Sequence, residues 1–224
     1  MNKTKAILFV ITLFSCLLAG CVPSLVYSPS VNLPPKPLQK EELQILGGIV
    51  YLPETRPDRV KSVKAFGGEA TIRYGFTNSY AMQVKSWHDF SDNVEPKRWG
   101  LSMAGIVVLN DSSNYRVGIM PNVAAAFSEN SIEGGGGYIP FTLWINNYDP
   151  INFYTAIGPV IGFRNIREGY NEWGWGIIAN VGCGIEIHHG FTLNIEFSGI
   201  KQVNKYNGRK DYIFSPSVNI GYVF

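Results

Sequence analysis

Few side chains in this chain are equipped to do chemistry. Its histidines are His88, His188 and His189, and its cysteines are Cys16, Cys21 and Cys183. His88 stands beside Asp89 and Asp92, near the end of the third expected strand. A general base needs that imidazole oriented by one carboxylate and matched by an acidic pair across a cleft. The remaining acids of the later connections, Glu129, Glu133, Glu168, Glu172 and Asp211, form no such pair. A Ser and His on neighbouring strands would serve acyl transfer, and only His88 is placed for it, because His188 and His189 stand in a turn at the opposite end. Cys183 has no base in register to make it a nucleophile. Three histidines and one internal cysteine, without chelating spacing, support no metal site. No catalytic residue and no cofactor are assigned.

Cys21 is the thiol with a chemical fate. Lys3 and Lys5 form a positive start, Ala6 to Leu18 an apolar run, and Leu18-Ala19-Gly20-Cys21 ends it. The run is shorter than the roughly 20 residues of a membrane helix and stops at small residues, which is the pattern of a cleaved signal peptide. Leu18, Ala19, Gly20 and Cys21 resemble the lipobox of bacterial lipoproteins. The resemblance implies removal of residues 1–20 by lipoprotein-processing enzymes and acylation of the Cys21 thiol and its new amine. Residues 21–42 carry Pro23, Pro29, Pro34, Pro35 and Pro37 and read as an extended tether.

From residue 43 to 224 a two-residue period recurs between turn residues. Ten strands are expected, at about 43–52, 63–76, 79–89, 98–109, 115–127, 138–145, 151–164, 173–187, 191–201 and 211–224, with eight as the alternative. Tight turns at 77–78, 110–114, 146–150 and 188–190 alternate with longer connections at 53–62, 90–97, 128–137, 165–172 and 202–210. The run Gly134 to Gly137 reads as a mobile part of one of them. Short turns at one end and longer loops at the other are the pattern of membrane barrels. An even strand number returns the C-terminus to the end where the N-terminus starts, the side on which an inner-leaflet anchor would sit.

The last strand alternates apolar Val218, Ile220, Tyr222 and Phe224 with polar or small residues. It resembles the closing strand of Gram-negative outer-membrane β-barrels, which implies recognition by the barrel-assembly machinery. The fold class expected is therefore all-β, an antiparallel up-and-down transmembrane β-barrel in contact with outer-membrane lipids. Trp99, Trp173 and Trp175 are expected near one interface and Tyr74, Tyr80, Tyr222 and Phe224 near the other. The inward set holds a charge network of Glu69, Arg73, Lys85, Arg116, Glu186 and Glu196. Inward Gly174, Gly176, Gly182 and Gly184 favour some unfilled volume, or else permit curvature and close packing.

Losing residues 1–20 removes Lys3 and Lys5 and no acid, leaving 17 basic residues against 17 acidic ones. A neutral mature chain gives nucleic acid no electrostatic purchase. The reading is a lipid-anchored outer-membrane barrel without catalytic activity, with a side-chain-filled lumen and a structural or surface-recognition role. Its alternatives are a narrow pore or small-molecule carrier, an enzyme working at the outer rim, and a soluble lipid-tethered lipocalin-like barrel.

Overall fold

The computed structural model describes residues 30–53, 64–90, 98–110, 114–128, 131–148, 150–166, 170–188, 190–204 and 210–224. Ten antiparallel strands close into a barrel. They are β1 (Leu43–Pro53), β2 (Lys64–Thr77), β3 (Tyr80–Asp89), β4 (Arg98–Val108), β5 (Tyr115–Ile119 continued by Asn122–Ser128), β6 (Ser131–Tyr138 continued by Phe141–Tyr148), β7 (Ile151–Ile166), β8 (Tyr170–His188), β9 (Phe191–Asn204) and β10 (Lys210–Val223). The interruptions in β5 and β6 fall at Pro121 and Pro140, whose rings remove a ladder donor. Register runs straight through both: Ile119 pairs with Phe141 and Asn122 with Tyr138 on either side.

Each strand pairs with its sequence neighbours, and β10 pairs with β1. At that seam Phe224 donates its N–H to the Leu43 carbonyl at 2.8 Å and accepts from the Leu43 N–H at 3.4 Å. The end that holds Leu43 and Phe224 is called the lower mouth here, and the other end the upper mouth.

Two expectations change. Gly134 to Gly137 are not a mobile loop but part of β6, laddered to residues 123–126 of β5 and 161–164 of β7. Neighbouring backbones on both sides supply the hydrogen bonds that a glycine run cannot secure by propensity. As a result the β5–β6 connection shrinks to residues 129–130 and the β7–β8 connection to 167–169, so long upper loops remain only in part.

Burial alternates along the strands, as in β3 and β4. The outer face is apolar at mid-height, with Ile49, Ile72, Met103, Ile157, Val181 and Val218 all exposed. Aromatic rings gather toward each end. Tyr74, Phe76 and Tyr80 are in edge and stacked contact near the lower mouth, and Phe191, Tyr222 and Phe224 meet edge to face there. Toward the upper mouth Trp99 stacks on Phe127 with ring centroids 4.3 Å apart, and Phe163 lies against Trp173.

The largest departure concerns the expected tether. Residues Ser30 to Leu38 lie inside the barrel and are buried, except for Lys36. The chain descends from Ser30, beside Glu69 and Lys85 at mid-height, to Lys36, beside Glu186 at the lower mouth. It then turns through Glu41, at φ 69°, whose N–H reaches the Gly75 carbonyl at 2.7 Å, and enters β1.

Candidate functional site

The lumen and the segment it holds form the candidate site. Alternation delivers Glu69, Thr71 and Arg73 from β2, Gln83 and Lys85 from β3, Glu196 and Ser198 from β9 and Asn219 from β10 to the inner surface. All eight side chains are buried.

These groups bind the backbone of the segment. Glu196 accepts from the Asn32 N–H at 2.9 Å, the Leu33 N–H at 3.3 Å, Ser198 Oγ at 2.9 Å and Tyr154 OH at 3.4 Å. Glu69 accepts from Ser30 Oγ at 2.6 Å and Asn219 Nδ2 at 2.7 Å. Lys85 donates to Ser30 Oγ at 2.8 Å and to the Ser30 carbonyl, and its Nζ stands 3.9 Å from Glu69. Arg73 donates to Gln83 at 2.6 Å, to Gln44 at 2.5 Å, to Asn32 Oδ1 at 3.1 Å and to the Asn32 carbonyl. Lower down, Trp144 Nε1 donates to the Pro34 carbonyl at 2.9 Å.

Two carboxylates and two cations thus balance within one buried cluster, and their remaining hydrogen-bonding capacity is shared between the segment and polar strand residues. Buried charge is tolerated only with such pairing and hydrogen bonding. Asn32 adopts φ 54°, a left-handed geometry that asparagine accepts more readily than most residues, and there its N–H meets Glu196 while its carbonyl meets Arg73. The prolines have a physical reason to be here as well. Pro34, Pro35 and Pro37 are buried without a backbone N–H, so three donors that would need partners do not exist.

Of the expected charge network, Glu69, Arg73, Lys85 and Glu196 form this cluster. Glu186 instead sits at the lower mouth, paired with Lys36 at 2.9 Å and half-exposed. Arg116 lies half-buried on β5 opposite Trp144, away from the central cluster. Two of the four inward glycines do not leave empty volume: a Cβ on Gly184 would overlap the Pro35 ring, and one on Gly182 would overlap the Tyr154 ring. Val218, Ile220, Tyr222 and Phe224 complete β10 and the seam. Cys183 faces outward, partly exposed, between Phe153 and Ile195 in the ladder. Leu18, Ala19, Gly20 and Cys21 lie outside the described residues, as do Asp92, Glu129 and Glu168.

The structure separates His88 from Asp89. His88 points outward and its Nδ1 lies 3.1 Å from the Arg98 carbonyl, whereas Asp89 points inward, 3.7 Å from Arg98 Nη2. Successive residues of a strand face opposite sides, so adjacency in sequence keeps these two apart. Among the described residues no group of His, Cys, Asp and Glu could hold a metal ion.

Sequence reasoning missed Ser30, Asn32 and Trp144 as lumen residues. The signal for the first two was faint: a proline-rich stretch announces extended backbone but not where it lies.

No model of a known family matches the sequence, and no curated protein matches it. Solved structures do resemble the fold. An outer membrane channel from Pseudomonas putida F1 superposes with a TM-score of 0.51 at 9% identity, over 86% of this chain and 97% of that one. The fold is that of outer-membrane β-barrels. The outer membrane protease OmpT of Escherichia coli gives a TM-score of 0.48 at 11% identity, over 90% of this chain and 99% of that one. Ail, the attachment invasion locus protein of Yersinia pestis, gives 0.38 at 11% identity, over 83% and 100%.

Proposed function

We propose that this chain is a non-catalytic, lipid-anchored barrel of the Gram-negative outer membrane, with a structural or surface-recognition role and a lumen stoppered by its own N-terminal segment. The observation that carries the reading is the burial of Ser30 to Leu38 inside the barrel, where Glu69, Arg73, Lys85 and Glu196 hold Ser30, Asn32 and Leu33. The exposed apolar surface between two aromatic zones supports a bilayer around the barrel, because such a surface needs a non-aqueous partner. The lipobox-like residues 18–21 support acylation at Cys21.

The test is planar-bilayer conductance of the full chain together with metabolic labelling by radioactive palmitate. Insertion without steps of conductance, and label that disappears in Cys21→Ala, are the expected results. Steady conductance from the unaltered chain would replace the stopper with the narrow-pore reading. Label retained in Cys21→Ala would remove the anchor.

A further inference from the structure

The wall of β8, β9 and β10 is more polar than the segment lying beside it. Asn180 stands opposite Ser198 across β8 and β9, Asn194 opposite Asn219 across β9 and β10, and Glu196 opposite Ser217 between them. All six side chains are buried. Yet among the described residues neither end of the Asn194 amide has a hydrogen-bond partner, and Asn180 Oδ1, Ser217 Oγ and Asn219 Oδ1 have none either. The segment has little to give them. The N–H groups of Asn32 and Leu33 go to Glu196, Pro34 and Pro35 have none, and the Pro34 carbonyl is turned to Trp144. A Cβ on Gly184 would overlap the Pro35 ring and stand 2.9 Å from Asn194 Oδ1, so an apolar ring lies beside an amide that can make four hydrogen bonds.

Buried polar groups are nearly always paired, and leaving one unpaired costs stability. A wall made only to hold a permanent stopper would be better served by apolar side chains at Asn194 and Ser217, which bond to nothing. Water both donates and accepts, so a hydrated bore would satisfy every one of these groups. Departure of the segment would strand no charge inside the barrel. Glu69, Arg73, Lys85 and Glu196 all belong to the strands, and the one charge of residues 30–38, Lys36, already sits half-exposed at the lower mouth.

We infer that residues 30–38 are an exchangeable plug: in a second, rarely populated state they have moved off this wall, water fills their place, and the bore admits small hydrophilic solutes. The inference rests on the stoppered-barrel reading and adds that the stopper is reversible. Asn180, Asn194, Ser217 and Asn219 are the lining of that second state, and their unpaired groups in the closed one are what favours its opening.

The experiment places a reporter thiol on the covered wall. Ser217→Cys in a Cys183→Ala background replaces a hydroxyl that bonds to nothing. The full chain in phospholipid vesicles is exposed to the small cationic thiol reagent MTSET, with the Cys183→Ala chain as the blank. Labelling is expected to accumulate over hours while heat-modifiable gel migration shows the barrel still folded. Adding Asn194→Leu is expected to slow it roughly tenfold or more, because leucine leaves no unpaired amide in the closed state and binds no water in the open one. Labelling that appears only as the folded band is lost, or that Asn194→Leu leaves unchanged, would overturn the inference and make the stopper permanent. Labelling complete on mixing, with conductance steps from the same chain, would mean a bore that is open throughout, and would sink the stoppered-barrel reading together with the exchange.

Discussion

Asn32 and Glu196, separated by 164 residues in sequence, meet in the middle of the barrel, where the Asn32 N–H donates to Glu196 Oε1 at 2.9 Å. Through this contact the N-terminal segment depends on β9, and the charge of β9 depends on the segment. Removing one partner of a buried charged cluster strands the other, which typically costs about 3–5 kcal/mol.

Glu196→Ala is therefore expected to be among the most disruptive single changes. It leaves Arg73 and Lys85 in excess of negative charge and the N–H groups of Asn32 and Leu33 without an acceptor. A loss of roughly 3–5 kcal/mol is predicted. Urea unfolding of the barrel in phospholipid vesicles, followed by tryptophan fluorescence, measures it.

Gly184→Leu should displace the segment without touching a charge. Its side chain would occupy the space of the Pro35 ring. The predicted outcome is a folded barrel whose lumen conducts, read as single-channel steps that the unaltered chain lacks. A silent bilayer with an inserted variant would mean that the strand side chains alone close the bore.

Trp144→Phe keeps most of the ring volume and removes one donor, leaving the Pro34 carbonyl unpaired in a buried place. A cost of about 1–3 kcal/mol is expected. The same urea transition reports it, with the remaining tryptophans as probes.

Ile157→Arg, on the outer face and 58% exposed, tests what surrounds the barrel. A guanidinium near the mid-plane of a bilayer costs about 2–4 kcal/mol, and in water it would cost little. Unchanged stability in vesicles would count against a bilayer around this face.

Salt should separate the two kinds of ion pair. Lys36–Glu186 is exposed at the lower mouth, so Lys36→Ala should change stability by less than about 1 kcal/mol, and by less still at 1 M salt. The cluster around Glu69 and Lys85 is buried and should respond far less to ionic strength.

The strands were legible because a barrel with one oily and one polar side imposes a two-residue period that survives in the sequence, as in β10 from Phe214 to Tyr222. The inner positions of Glu69, Arg73, Lys85 and Glu196 followed from the same parity. What escaped were segments whose structure is set by neighbours instead of by their own composition. Gly134 to Gly137 carry no side chains to betray a strand, yet β5 and β7 hydrogen-bond them on both sides. The prolines from Pro34 to Pro37 signal extension equally well in solvent and in a lumen, and the choice is made by Glu196 and Trp144, more than a hundred residues away. The split of His88 from Asp89 was available from parity alone, since neighbours on a strand face opposite sides.

Closure at Leu43 and Phe224 around a segment that continues directly into β1 makes the barrel a ring that encloses part of its own chain. In chemical terms this is half of a rotaxane, with one stopper supplied by the covalent link to β1. Acyl chains at the far end would be the second stopper. With both stoppers in place such a segment would need no binding affinity to stay, because only opening the seam between the first and last strands would release it. The hydrogen bonds to Asn32 and Leu33 fix where the segment rests along the bore, and the link to β1 sets how far a displaced segment can move.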